Sequence, residues 1–368
     1  MGDPRILGLS EIAHGEREAA VNQRYEKSQQ YVGIDLHRRR SVIVRIDGQG
    51  EVLECVRVDN SVPALVEQVG KAGPGAPVAI EATYGWYWAV DALRAAGFAV
   101  TLAHPRGIAS MQGRRAKTDR LDATELADLL RLGRLATAWI APPDVRELRE
   151  LVRYRHKLVR DRAAVKASIH AVLGKCGVIP QIGDIFGPVG SRMLDALALP
   201  EPYGSRVASQ RRIMATLSGE ITALEVETAR WLKDNLQYQA LLTINGIGPV
   251  MAAIFVAEIG DVGRFKSADQ LACWAGLTTR VDSSDKKTRY GHVSKQGSRL
   301  LRWAAVEGCQ RAREPYLQTK RRSIIERRGK RAQHIATVAA ARHMIKVVYY
   351  TMRDGHARCL DAPLPVAS

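Results

Sequence analysis

Four carboxylates stand where an acid needs a reason. Asp35 lies inside the apolar run Tyr31-Val32-Gly33-Ile34-Asp35-Leu36-His37, where an uncompensated acid costs desolvation energy. Glu81 ends the run Val78-Ala79-Ile80. Asp119 and Asp122 follow Lys117-Thr118 at a spacing of i, i+3, which puts both on one side of a helix. Carboxylates brought together repel one another unless cations neutralise them. An oxygen-only set suits Mg2+ or Mn2+ rather than zinc. Two such ions about 4 Å apart can activate a nucleophile and stabilise a leaving oxygen in phosphodiester chemistry. Each acid also has an ordinary use. Asp35 can be a hydrogen-bonded strand-end residue and Glu81 a solvated one, while first-turn acids such as Asp119 and Asp122 complement a helix dipole. Spacing alone leaves both readings open.

The elements that must carry these acids read as α/β. Residues 31–36 and 41–47 form two β-rich runs closed by Asp47-Gly48, and 52–58 alternates as a third strand. Residues 62–69 have helical spacing, 77–83 read as a buried strand, 86–96 as a helix capped by Gly97, and 98–102 as a strand. Residues 117–132 then read as a helix with Gly133 after it. This order predicts a mixed sheet with helices on it over 29–142, behind a tail at 1–28.

Residues 143–237 are helical. Leu148, Leu151, Leu158, Val165, Ile169 and Val172 keep a heptad-like spacing, with Arg155 and Arg162 in two of its slots. Residues 174–205 read as a linker or elbow, and Leu217, Ile221, Leu224, Thr228 and Trp231 mark a second long helix. The two seams predict a coiled-coil hairpin or a contact between copies. Residues 238–356 read as a mostly α domain, with a tail at 357–368. Its Ile244-Asn245-Gly246-Ile247-Gly248-Pro249 resembles a helix-hairpin-helix turn, where backbone N–H groups approach a DNA phosphate. A polar loop is expected over 279–297.

The chain of 368 residues has a formal net charge of +17, unevenly placed. Residues 1–140 hold 18 Lys/Arg against 17 Asp/Glu, a net of +1; residues 141–368 hold 37 against 21, a net of +16. Nucleic acid is the default partner for such a surface. A membrane surface fits less well, because the basic stretches lack a large apolar face and no run is long enough to span. Five scattered cysteines without a C-x-x-C argue against a disulfide framework or zinc site and for a reducing cytosol. Residues 1–28 have no apolar core, so no signal peptide is expected.

Gly33-Ile34-Asp35, Ile80-Glu81-Ala82-Thr83 and Lys117-Thr118-Asp119 with Asp122-Ala123 form a D-E-D-D pattern. Downstream stand Ile244 to Gly248, residues 265–271, Ala275-Gly276-Leu277-Thr278, and Ser294-Lys295-Gln296-Gly297-Ser298 with Leu301-Arg302. This ordered set, across 31–355, resembles the transposases (recombinases) of bacterial insertion sequences guided by a bridge RNA. The resemblance implies a RuvC-like, RNase-H-type first domain in which Asp35, Glu81, Asp119 and Asp122 hold Mg2+ or Mn2+. It also implies a serine nucleophile in the polar loop. Counting from Gly276 favours Ser284, with Ser283 as the one-residue alternative; Asp285 and Thr279 depart from the usual small residue and Pro.

The same resemblance implies a covalent 5′-phosphoserine, and a tetramer (a dimer of dimers) whose acids and serine come from different protomers. A structured noncoding guide RNA would pair with donor and target DNA, in a bacterial cytoplasmic, nucleoid-associated setting. Candidate backbone contacts are Arg155, Arg162, Gly246, Gly248, Lys295, Arg321, Arg322, Arg327, Arg328 and Lys330. Two other readings stand beside it. One is a RuvC-like nuclease or junction resolvase using metal-activated water. The other is a non-catalytic nucleic-acid-binding protein, such as a decayed transposase.

Overall fold

The computed structural model describes residues 30–105, 118–284, 287–312 and 315–357. The expected tails (Ala357 apart), Lys117 and Asp285 lie outside them. The chain divides into two compact units, Met1–Ile140 and Ala141–Ser368.

In the first unit six strands form one sheet in the order β3-β2-β1-β4-β5-β6. β1 (Gln30–Leu36), β2 (Arg40–Asp47) and β3 (Val52–Asp59) make an antiparallel meander. β4 (Pro77–Glu81) and β5 (Ala99–Ala103) run parallel to β1, reached through α1 (Val62–Gly70) and α2 (Trp86–Ala95). β6 (Thr137–Ala138) closes the edge antiparallel to β5; two residues carry no readable period.

Strand alternation divides the sheet into two faces. Val32, Ile34, Leu36, Val78 and Ile80 face the core shared with Leu65, Val69, Val90 and Leu93 of α1 and α2. The opposite face, with Val42, Val44, Ile46 and Ala79, receives α3 (Asp119–Arg131). α3 offers it Ala123, Leu126, Ala127 and Leu130, a stripe at helical spacing. Gly33 lies on that face. A Cβ there would collide with the Ala123 carbonyl and come within 2.8 Å of Ala127 N, so only glycine lets α3 cross β1 this closely.

The second unit is built around α8 (Pro249–Ile259), buried at every position from Met251 to Ile259. A helix apolar on all sides belongs at a core centre. Its neighbours are α4 (Pro143–Lys175), α7 (Leu236–Leu242) and α10 (Arg299–Arg311), and α12 (Gln333–Asp354) packs on α7, α10, α9 (Ala268–Trp274) and α11 (Pro315–Arg328). The one acid in α8, Glu258, is matched from α4: Arg153 donates to its two carboxylate oxygens at 2.8 and 3.0 Å. Arg149 donates to the carbonyls of Ala257 and Glu258 at 2.8 and 3.0 Å, satisfying the end of the helix.

α4 pairs with α6 (Tyr203–Trp231) through Leu158, Ile221 and Leu224, so the two heptad seams meet within one chain. The expected elbow is more than a linker. It contains α5 (Pro188–Ala196), and its Ile185 and Leu194 join Ile169, Val172 and Leu173 of α4 and Val207 of α6 in a small core. The expected polar loop is instead an antiparallel ribbon of β7 (Thr279–Ser284) and β8 (Lys287–Val293). Thr279, Val281, Thr288, Tyr290 and Val293 supply β-forming residues, but no buried face made the alternation visible in hydropathy.

Gly33→Ala is expected to push α3 off β1. Denaturant unfolding should show a loss of about 1–3 kcal/mol, as for an overpacked core. Wild-type stability would mean that α3 can yield without cost.

Candidate active site

Strand parity places Asp35 on the α3 face, two residues after Gly33, and Glu81 on the same face, two residues after Ala79. β1 and β4 are parallel, with Ile34 opposite Ile80; the next residue on each strand is an acid. Asp119 and Asp122 extend the sheet-facing stripe of α3 to its first turn. That turn is fixed by Thr118, whose hydroxyl accepts the Leu121 N–H at 3.3 Å. All four acids therefore line one cleft of about 310 Å3, together with His37, Arg38, Thr83 and Tyr84.

Asp35 is the buried member, 7% exposed. Burial raises its carboxyl above the usual carboxylate value; His37 opposes that shift, and the charges of Asp119 and Asp122 reinforce it. His37 Nε2 stands 3.1 Å from Asp35 Oδ2 and 3.4 Å from Asp119 Oδ1. The Asp35 contact is close but poorly directed: among the described residues, no hydrogen-bond donor is aligned on the buried Oδ2. Arg57 of β3 also reaches Asp119, at 3.5 Å.

A buried carboxylate oxygen without an aligned donor, beside further carboxylates, is a donor set that fits a divalent cation. Asp35, His37 and Asp119 bring ligand atoms within 4.8 Å of one another, and Glu81 and Asp122 line the same cleft. His37 was not singled out from sequence. Its signal was there: two residues beyond Asp35, it shares that side of the strand.

Ser283 and Ser284 belong to the second unit, exposed at the end of β7. Adjacent strand residues point to opposite faces, and the register separates these two. Ser283 pairs with Thr288, their hydroxyls 3.4 Å apart, on the face that also carries Val281 and Tyr290. Ser284 shares its face with Arg280 and Arg289, and a Cβ at Gly291 would make only ordinary contact with Arg280.

The base of the ribbon is anchored. Ser294 N–H donates to Thr278 O at 2.9 Å and Lys295 N–H to Gly276 O at 3.1 Å. Arg302 of α10 donates to the carbonyls of Ala275, Gln296 and Gly297 at 3.1, 2.6 and 3.1 Å. Lys295 adopts φ +54°, an uncommon conformation for a residue with a side chain.

The other basic candidates differ in what they offer. Arg155 donates to Glu225 at 2.9 Å and Arg162 to Ser218 at 3.1 Å, so both polar seam positions are used between α4 and α6. Gly246, at φ +89°, lies against α10, where a Cβ would come within 2.6 Å of Ala312 N. Its turn is thus shaped by packing. Gly248 has open space around it at the start of α8. Arg322, Arg327, Arg328 and Lys330 are exposed, as is Lys295, while Arg321 is half-buried.

Two family models match the chain. The DEDD Tnp IS110 model, described as a transposase, covers residues 32–177, which include all four acids. The model for the transposase IS116/IS110/IS902 family covers residues 238–322, which include the ribbon. The chain belongs to the IS110 family of transposases. This transposase is 27% identical over 286 residues to a probable family 20 transposase of Pseudomonas aeruginosa, spanning 76% of this chain and 82% of the relative. It is 25% identical over 358 residues to the transposase for insertion sequence element IS1111A of Coxiella burnetii, spanning 92% and 93%. Among the described residues, no helix of the transposase is long and apolar enough to cross a membrane.

The cleft makes a signed prediction. Because folding raises the Asp35 pKa, ionising it weakens the fold as pH climbs past its unfolded value. At pH 7 in EDTA, Asp35→Asn should therefore melt at or above the wild-type temperature. Added Mg2+ should raise the wild-type melting temperature and leave the variant unmoved. A variant that melts lower in EDTA would make Asp35 a structural acid.

Proposed function

We propose that this transposase is an RNA-guided DNA recombinase that cuts and rejoins its insertion sequence and target DNA through Ser284. The observation that carries the reading is the cleft in which the D-E-D-D acids converge from two parallel strands and one helix. Asp35, Glu81, Asp119 and Asp122 would hold Mg2+, or Mn2+, which supplies charge stabilisation at a phosphodiester.

Ser284 is favoured over Ser283 by its surroundings. Arg280 and Arg289 on its face favour approach of an anionic phosphate, whereas Ser283 faces the Thr288 hydroxyl. In the forward step Ser284 Oγ forms a bond to phosphorus as its proton departs. The bond from phosphorus to the 3′ oxygen breaks, leaving a 5′-phosphoserine and a free 3′ hydroxyl. In the return step a 3′ hydroxyl attacks the phosphoserine and releases the serine, so phosphodiester energy is conserved without a nucleotide cofactor.

The +16 carried by residues 141–368 supports a surface that holds RNA and DNA backbones while base pairing reads sequence. The exposed Arg322, Arg327, Arg328 and Lys330 on and beside α11 are the best-placed contacts. A tetramer with acids and serine from different protomers completes the reading. Its support is the family pattern, since the α4–α6 seams already meet within one chain.

The test is a denaturing gel after incubation with the element's junction DNA, the RNA transcribed from its flank, and Mg2+. A protein–DNA adduct is expected, abolished by Ser284→Ala and retained by Ser283→Ala. Loss with Ser283→Ala alone would move the nucleophile by one residue. Cleavage with no adduct would make the protein a metal-dependent resolvase, and binding with neither product a non-catalytic one.

A further inference from the structure

The ribbon has a second face that the serine chemistry does not use. Val281 and Tyr290 sit opposite each other on it, 53% and 74% exposed. Cross-strand pairs of this type normally pack on something, and a two-stranded ribbon has little stability of its own. Charge indicates the partner. Residues 279–297 hold Arg280, Lys286, Lys287, Arg289 and Lys295 against Asp282 and Asp285, a net of 5 − 2 = +3. The same region of a second copy, residues 141–368 with a net of +16, is repelled by such a ribbon, and a polyanion is attracted.

The partner must also offer flat apolar surface to an aromatic ring, and nucleobases do. Base–aromatic stacking is sequence-tolerant, because every base has a π-face. Side chains that enter DNA between base steps unstack them in this way. Strand exchange requires such opening near the cut.

We propose that Tyr290 stacks on a DNA base within about three nucleotides of the phosphate attacked by Ser284. The inference rests on Ser284 as the nucleophile. The spacing follows from the ribbon. The Val281–Tyr290 pair lies three residues from Ser284, about 10 Å at 3.4 Å per residue. One strand of B-DNA advances about 3.4 Å per nucleotide, which makes that distance about three steps. Opposite faces allow both contacts at once, with phosphate against Ser284, Arg280 and Arg289 and a base against Tyr290. Tyr290 is then a substrate-positioning residue.

The full chain is tested with its flank RNA and junction DNA carrying 2-aminopurine at each of three nucleotides on either side of the cut. In a Ser284→Ala background, which keeps the DNA intact, fluorescence at one of these positions should change on binding. Adding Tyr290→Phe should keep the change and adding Tyr290→Ala should remove it. With Ser284 present, Tyr290→Ala should slow adduct formation at least about fivefold, the lower end of one stacking contact, and Tyr290→Phe should not. A junction with mismatches beside the cut should recover much of that loss.

Fluorescence indifferent to Tyr290 at all positions, with a wild-type adduct rate for Tyr290→Ala, would overturn the proposal. So would a Tyr290→Ala protein that loses its oligomeric state without DNA, because the ring would then contact another copy. Tyr290-dependent fluorescence with no adduct from any form would leave the base contact standing and remove the serine reading.

Discussion

The closeness of one helix to one strand governs the first unit of this transposase and its acidic cleft. α3 crosses β1 where Gly33 has no side chain, and Asp35 follows two residues later on the same face. Strand alternation allows no other placement: a contact at one residue fixes the direction of the next but one. The glycine that brings the helix near also aims the acid beneath its first turn. Glu81 inherits the same direction from the parallel register of β4. Asp119 and Asp122 arrive because α3 keeps its sheet-facing stripe to the end, exchanging alanine and leucine for aspartate. The cleft is thus a by-product of packing geometry that four side chains exploit.

The second unit solves a different problem. α8 is apolar on every side, so the helices about it must carry all the polar duties. Arg149 and Arg153 do so from α4, one satisfying carbonyls and the other matching a buried carboxylate. This explains why arginine is common on α4 without assigning it to nucleic acid. Arg155 and Arg162 extend the pattern toward α6, where Glu225 and Ser218 receive them.

Much of this was legible in the sequence, for physical reasons. β1 to β5 were readable because turn residues punctuate them and β1 is apolar from Tyr31 to Leu36 apart from Asp35. Helical spacing revealed α1, α2, α3 and the long α4 and α6. The acids were identifiable because a charge in an apolar strand is costly. The ribbon escaped because its alternation serves no core: with both faces exposed, hydropathy carries no period of two. His37 escaped because a lone histidine after a strand has many ordinary uses, and only the fold shows it between two carboxylates. Gly246 has a packing use that the sequence did not reveal. Its motif resembles a phosphate-approaching turn, and the space it vacates is filled by α10.

The anchoring of the ribbon has a mechanical consequence. Arg302 and the Thr278 and Gly276 carbonyls hold its base to α9 and α10. The seven residues of β8 extend about 24 Å at strand rise. A rotation of only ~5° at the anchor therefore sweeps the tip by roughly 2 Å, more than the tolerance of the in-line attack proposed for Ser284. Ser284 rides on a lever. Its position is set at the hinge, where one guanidinium joins three carbonyls, and small adjustments there are magnified at the tip.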